Sequence, residues 1–313
     1  MLIGALLPYR REYRPALWSV VHMLAGVLGR KLNRKTRRSR ELSGRGFLTL
    51  LLLSLLFFFA DFFLRDFVRA AGKSWLYALP LMALTVSAMM PVKVMREIAA
   101  RLDKKQEPAA AKALQPYVSE EMAQADAHTI VRKSLEFGAV AFNRYLVAPG
   151  FYYLALGTTG LALYTVMIAA GEAWELLRSE HFSFARAARL VEKLLDFIPS
   201  IISLFFFAAA ALVVSKANGF RALKTSATQA GRFHALARGI LVGGMAGALG
   251  ITLGGPAKYR GSGIPETQWI GPENSSARVT VNDLKRGRML IFVSFLCVIA
   301  FLSLIIMVKI KFS

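Results

Sequence analysis

The segment Met245-Ala-Gly-Ala-Leu-Gly-Ile-Thr-Leu-Gly-Gly-Pro256 most constrains the fold, because it sits in an apolar stretch with glycines at 239, 243, 247, 250 and 254. With no Cβ to hold a neighbour off, such a segment brings its backbone against another helix or a ligand. Small-xxx-small spacing is common in membrane helices, so helix packing is the first reading and ligand approach the second. Ile240–Leu253 is barely long enough for a steep membrane crossing, and a re-entrant or protein-buried helix competes with a span.

The solvent follows from composition. Hydrophobic residues make up 55% of the chain and long uncharged runs recur, which excludes an ordinary soluble domain. Phe47–Leu64, Trp75–Val92, Leu146–Ala170, Phe197–Ser215 and Met289–Val308 each approach the roughly 20 apolar residues that cross a hydrocarbon core. The expected fold is therefore an all-α polytopic integral membrane bundle, with about five spans plus the Gly-rich re-entrant or buried helix. Four regions are expected: a basic N-terminal segment (1–46) with an interfacial helix, two spans (47–92), a cytoplasmic helical subdomain (93–145), and a membrane bundle (146–313) containing the glycine signature (239–261).

The formal charge of +21 is concentrated at membrane flanks. Arg30, Lys31, Arg34, Lys35, Arg37, Arg38, Arg40 and Arg45 precede the first span with only Glu41 against them, which places that flank in the cytoplasm by the positive-inside rule. The expected location is the bacterial inner (plasma) membrane, multi-pass, with a cytoplasmic N-terminus. Anionic lipid is a second partner of the basic run, whereas nucleic acid is not expected, because no aromatic platform accompanies it. Arg65–Lys73 and Gly171–Asp196 read as exterior loops, and Lys93–Arg144 as amphipathic cytoplasmic helices. Thr280 and Asp283 read as the N-cap and N3 of the helix entering the last apolar run.

Met1–Leu7 is too short for a signal-peptide core, so targeting is expected from the first span. The single cysteine, Cys297, excludes a disulfide framework, and His22, His128, His181 and His234 lack ligand spacing, so no metal site is expected. Asp61 interrupts the apolar run Phe57–Leu64, and snorkelling to the interface beside Arg65 is preferred to a proton relay, which would want further ionisable groups in facing spans.

From Ala246 to Gly261 the chain carries Ala-Gly-Ala-Leu-Gly-x-x-Leu-Gly-Gly-Pro-x-x-Tyr-x-Gly, followed by Trp269-Ile-Gly271 and an acid-led helix from Asp283. This ordered string resembles the CobD/CbiB family of cobalamin-biosynthesis membrane proteins, the adenosylcobinamide-phosphate synthases. The resemblance extends back through Leu194-Leu-Asp-Phe-Ile-Pro199 and Leu146-Val-Ala-Pro149 to Lys133-Ser-Leu-Glu136. It implies amide-bond formation between cobyric acid and aminopropanol or its phosphate, with ATP and Mg if that activity is retained. It also implies a corrinoid substrate and other membrane proteins of late cobalamin assembly as partners.

Several polar motifs of that family are replaced. The Glu-Asn-x-x-Asp motif falls on Val140, Ala141 and Arg144, the Asn-Thr-x-Asp-Ser motif on Ile168, Ala169, Gly171 and Glu172, and the Ser-Pro-Asn element on Ala235, Leu236 and Ala237. Aliphatic residues neither take a proton nor ligate a cation. Glu136 and Glu192 remain as candidate catalytic groups. Arg144, Arg238, Lys258 and Arg260 are candidates for holding phosphate or carboxylate, with Gly254, Gly255, Tyr259, Gly261 and Glu266 completing the substrate-binding set. The amides around Gly254-Gly255 read either as an anion nest or as a glycine turn before Pro256. Two function classes stay open: a ligase-like enzyme of late cobalamin assembly, or a pseudoenzyme acting as membrane scaffold or AmpE-like regulator. Convergence of Glu136, Glu192, Arg144 and the Gly254–Gly261 turn on one cavity would favour ligand binding; scatter would favour the scaffold.

Overall fold

A computed structural model describes residues 14–33, 38–70, 81–82, 85–87, 89–176, 183–233, 235–256 and 268–311. Its elements are α1 (Ala16–Leu32), α2 (Ser39–Ala70), α3 (Met90–Asp103), α4 (Glu107–Leu114), α5 (Ala127–Phe142), α6 (Ala148–Leu176), α7 (Arg186–Leu195), α8 (Phe197–Ala210), α9 (Gly219–Gln229), α10 (Leu236–Leu249) and α11 (Val281–Lys311). One two-stranded antiparallel ladder, β1 (Leu253–Gly254) with β2 (Trp269–Ile270), pairs Leu253 with Ile270 and Gly254 with Trp269.

The fold is a helical membrane protein, as its composition requires. Among the described residues three stretches are long and apolar enough to cross a membrane: Ser39–Ala70, Ala127–Glu175 and Val281–Leu304. A fourth is obtained if Arg186–Leu195 and Phe197–Ala210 count as one span. Half of the expected span Trp75–Val92 lies outside the described residues, and its last three residues already belong to α3. Phe197–Ser215 is shorter than its hydropathy suggested: helix ends at Ala210, and the following amides close three residues back, Leu212 onto Ala209 and Val213 onto Ala210. Leu146–Ala170 is not one regular helix either. Asn143–Val147 winds as a π-helical turn, where Pro149 removes one amide donor and crowds the carbonyl four residues before it. Gly157 (φ 68°, ψ −152°) then breaks α6.

The chain forms two compact units, each discontinuous in sequence. In the first, α1 and α2 join α6 and α7. Glu172 of α6 is its buried polar anchor, accepting from Arg14 Nη2 at 2.7 Å and from Trp18 Nε1 at 2.9 Å. Trp174 Nε1 donates to the Ala25 carbonyl at 2.9 Å, and Tyr164 OH donates to Asp196 Oδ1 at 2.8 Å. Asp61 does not snorkel. It is 3% exposed and accepts from Thr159 Oγ1 at 2.7 Å, while Arg65 Nη1 donates to the same hydroxyl at 3.1 Å. A facing threonine thus supplies the donor that the interface would otherwise have to supply. Arg65–Ala70 belongs to α2 and is helix, not loop.

In the second unit, α10 is the buried centre. Ala237 and every residue from Gly239 to Leu249 are buried, and Gly250 (φ 71°) ends the helix in the left-handed conformation. Fourteen residues give about 21 Å of helix, short of a bilayer core, so the buried reading of this segment prevails over a full crossing. The glycine stripe packs on α9 and the turn after it. A Cβ at Gly239 would lie 2.0 Å from the Ala230 carbonyl oxygen, and one at Gly247 2.4 Å from that of Arg221. At Gly243 it would meet Ser226 Cα at 3.0 Å.

Around this centre, α3 buries Met90, Val94, Met95, Ile98, Ala99 and Leu102 along one helical face. At the start of α11 the Asp283 carboxylate accepts from the Thr280 amide at 2.9 Å, the reciprocal cap expected of that pair. Helix α5 departs from its amphipathic expectation, being buried nearly all round, with Arg132, Lys133 and Glu136 inside.

Gly247→Leu should destabilise the purified protein by about 3 kcal/mol or more, because the new side chain meets backbone that cannot rotate away. Gly150→Ala, where an added Cβ meets nothing within 4 Å, should stay within about 0.5 kcal/mol. Thermal unfolding in detergent of the two variants against the parent checks both values.

Candidate functional site

The site is assembled within the second unit from a loop, a helix and the short ladder. Gln115, just after α4, folds over the chain that follows it. Its Nε2 donates to the carbonyls of Val118 (3.3 Å) and Glu120 (2.9 Å), and its Oε1 accepts from the Met122 amide (3.0 Å). Glu120 is thereby fixed with its side chain inward, 1% exposed. Asp126 caps α5 by accepting from the Thr129 amide at 3.0 Å, which sets the register of the charges one turn on.

From that start, Lys133 and Glu136 fall three residues apart on one face of α5 and are both buried. Lys133 Nζ contacts Glu136 Oε2 at 2.9 Å and Glu120 Oε1 at 3.3 Å. Arg238 of α10 reaches the same two oxygens at 3.4 and 3.5 Å with its side chain 36% exposed. The remaining oxygen of Glu136, Oε1, accepts from the Gly254 amide of β1 at 2.9 Å. Two carboxylates and two cations therefore balance, with one backbone donor completing Glu136.

Burial works against the Glu120 carboxylate, yet Lys133 and Arg238 outweigh it and hold its pKa below the ordinary carboxylate value. The ladder is held in turn by Gln229, which donates to the Gly271 carbonyl at 2.8 Å and accepts from the Gly271 amide at 3.0 Å. Arg132 lies 4.8 Å over the Trp269 ring as a cation–π contact. Gly254 (φ 82°) and Gly255 (φ 80°) are both left-handed; a Cβ at Gly254 would lie 2.4 Å from the Gln268 carbonyl oxygen, and one at Gly255 2.5 Å from the Trp269 indole. Of the pair, the Gly254 amide serves an anion, the protein's own Glu136, while the Gly255 amide donates to the Gln268 carbonyl at 3.4 Å.

Of the residues singled out in the sequence, Glu136, Arg238 and Gly254 converge, with Gly255 adjoining. Arg144 sits half-buried on the π-helical turn. Glu192 lies on α7, in the other unit. Lys258, Tyr259, Arg260, Gly261 and Glu266 lie outside the described residues.

Sequence reasoning missed Glu120 and Lys133 as members of this cluster, and Glu172 as the partner of Arg14 and Trp18. A signal for Lys133 was present: a cation three residues before an acid, at the head of the apolar run Phe137–Phe142. For Glu120 there was none, since one of two adjacent glutamates in a polar loop gives no pattern.

The Mg and ATP that the family resemblance implies can be tested against this donor set. Among the described residues no three His, Cys, Asp or Glu side chains group as metal ligands. The two carboxylates that do approach each other are committed to Lys133 and Arg238. This donor set does not fit a Mg–nucleotide site.

The profile of the CobD/Cbib protein family matches residues 2–291. Curated relatives named "Cobalamin biosynthesis protein CobD" include one from Sinorhizobium sp, 30% identical over 166 residues, covering 52% of this chain and 50% of the relative. Another, from Chromobacterium violaceum, is 26% identical over 144 residues, covering 46% of this chain and 44% of the relative. A third, from Rhizobium meliloti, is 30% identical over 145 residues, covering 45% and 43% respectively. The chain spans about half the length of the curated relatives it matches. No solved structure gives a significant match.

Lys133→Met leaves two buried carboxylates with Arg238 as the one cation of the cluster and should cost about 3–5 kcal/mol in a detergent unfolding experiment. Adding Glu136→Leu should restore part of that loss, and Arg238→Gln alone should cost about 1 kcal/mol or less because its side chain is partly solvated. The lowered Glu120 pKa sets a pH dependence of defined sign. Its stabilisation is complete above its ordinary value of 4.5 and is lost as pH falls through the lowered one, so Glu120→Gln should flatten the acid limb of a stability–pH profile.

Proposed function

The chain belongs to the CobD/Cbib family, and from that premise we propose that it serves cobalamin biosynthesis as a non-catalytic membrane component. The observation that carries this reading is the fate of the strongest candidate catalytic group. Both oxygens of Glu136 are bonded inside the protein, to Lys133, Arg238 and the Gly254 amide. A general base has to come within reach of a substrate proton, and Glu136 is 1% exposed with each oxygen already bonded to a donor of the protein. The positions where the family resemblance puts polar groups support the same conclusion: Ala141, Ile168 and Ala169 are 2%, 2% and 0% exposed, packed as apolar core.

The protein then works by binding or organising, with a corrinoid or other membrane proteins of late cobalamin assembly as partners. Its proposed setting is the bacterial inner membrane, with several spans and the basic N-terminal flank in the cytoplasm. Retained amide-bond formation between cobyric acid and aminopropanol phosphate is the second reading. The convergence of Glu136, Arg238 and Gly254 in one compact unit favours it, and Arg238, 36% exposed, would be its anion-holding group.

Purified protein incubated with cobyric acid, aminopropanol phosphate, ATP and Mg, and followed by corrinoid absorbance through size exclusion and product chromatography, distinguishes these readings. Co-elution of a corrinoid without amide product is the expected result. Product formation that disappears in Glu136→Gln would establish the ligase, and neither binding nor product would move the chain to a regulatory role.

A further inference from the structure

The first turns of α2 read Ser39-Arg-Glu-Leu-Ser-Gly-Arg-Gly-Phe47, a polar prefix on a long apolar helix. Arg40, Ser43, Gly44 and Phe47 recur at i, i+3, i+4 and i+7 and so share one helical face. On α7, Arg186 and Leu190 recur at i and i+4 and share another. These two faces line a cavity of about 520 Å³, together with Ser39 and Ala187.

The cavity is set by backbone contact. A Cβ at Gly46 would lie 2.0 Å from the Phe184 carbonyl oxygen, so α2 abuts the turn that leads into α7, and the two arginines flank one space. Gly44 leaves that space open, since an added Cβ there meets nothing within 4 Å.

Its chemistry is one-sided. Arg40 and Arg186 are exposed, no described residue pairs with either guanidinium, and among the described residues no carboxylate lines the cavity. Phe47 and Leu190, each 55% exposed, form the apolar wall. Below them the lipid-facing side of α2 continues through the exposed Leu48, Leu51, Leu52 and Leu55. A soluble anion would leave that wall against water, whereas an amphiphile covers both halves.

We propose that this cavity seats the headgroup of an anionic phospholipid, with Arg40 and Arg186 holding its phosphate oxygens. The Ser43 hydroxyl adds a donor, and Phe47 and Leu190 pack the first acyl carbons.

The test is native mass spectrometry of the full chain released from detergent after equilibration with equimolar phosphatidylglycerol and phosphatidylcholine. Phosphatidylglycerol should be retained about tenfold over phosphatidylcholine, and Arg40→Gln and Arg186→Gln should each lower that preference about fivefold. Gly44→Leu, which fills the cavity from a position with room for it, should abolish the preference without lowering the melting temperature. Equal retention of the two lipids would overturn the proposal, as would retention unchanged in both arginine variants. A loss as large in Lys224→Gln, a cation outside the cavity, would reduce the effect to general charge attraction and overturn it too. Displacement by millimolar glycerol 3-phosphate or inorganic phosphate would assign the cavity to a soluble phosphate ester instead.

Discussion

A carboxylate buried to 1% exposure has to be matched by partners, and Glu136 is matched on both oxygens. Desolvating an ion costs several kcal/mol, recovered only if the counter-charge is close and the remaining lone pairs are bonded. Lys133 supplies the counter-charge from one turn earlier on the same helix, and the Gly254 amide supplies the bond from β1. The loop carrying Glu120, the helix carrying Lys133 and the strand carrying Gly254 are thereby tied to one point. Moving any of them would strand a charge, so the geometry of this unit follows from that single requirement.

The glycines serve the same end from the backbone side. Gly239, Gly243 and Gly247 let α10 lie against α9 and the turn after it at separations a methyl group would forbid. With α10 pulled in, Arg238 at its first turn comes to the rim of the ion cluster, while the chain leaves through the left-handed Gly250 into β1. Gly254, also left-handed, then turns its amide to Glu136. A segment whose pattern resembles a ligand-binding signature thus spends its backbone contacts on its own protein.

Where the family resemblance puts polar groups, this chain packs Ala141, Ile168 and Ala169 as apolar core, and Glu172 closes on Arg14 and Trp18. At these positions the chain offers apolar packing and a closed ion pair. Function resides in sites grafted onto folds, so shared architecture does not by itself carry an activity.

The membrane class, the helical character, the position of the first and last long apolar spans and the close-packing role of the glycine stripe were legible in the sequence. Each depends on local composition or on spacing at helical period. The cap at Thr280 was legible for the same reason. The breaks at Asn143–Val147 and Gly157 were not, because hydropathy averages over a helix and does not register a π turn or a single left-handed residue. Of the site, the sequence marked Glu136, Arg238 and Gly254 as separate candidates. Only tertiary structure decided that they meet, that Glu120 and Lys133 complete them, and that Glu192 lies elsewhere, because pairing between residues more than 100 positions apart is set by how helices pack. Sequence alone determined which apolar residues must leave water; the fold decided which charges would leave it with them, because a buried charge depends on partners that only packing brings close.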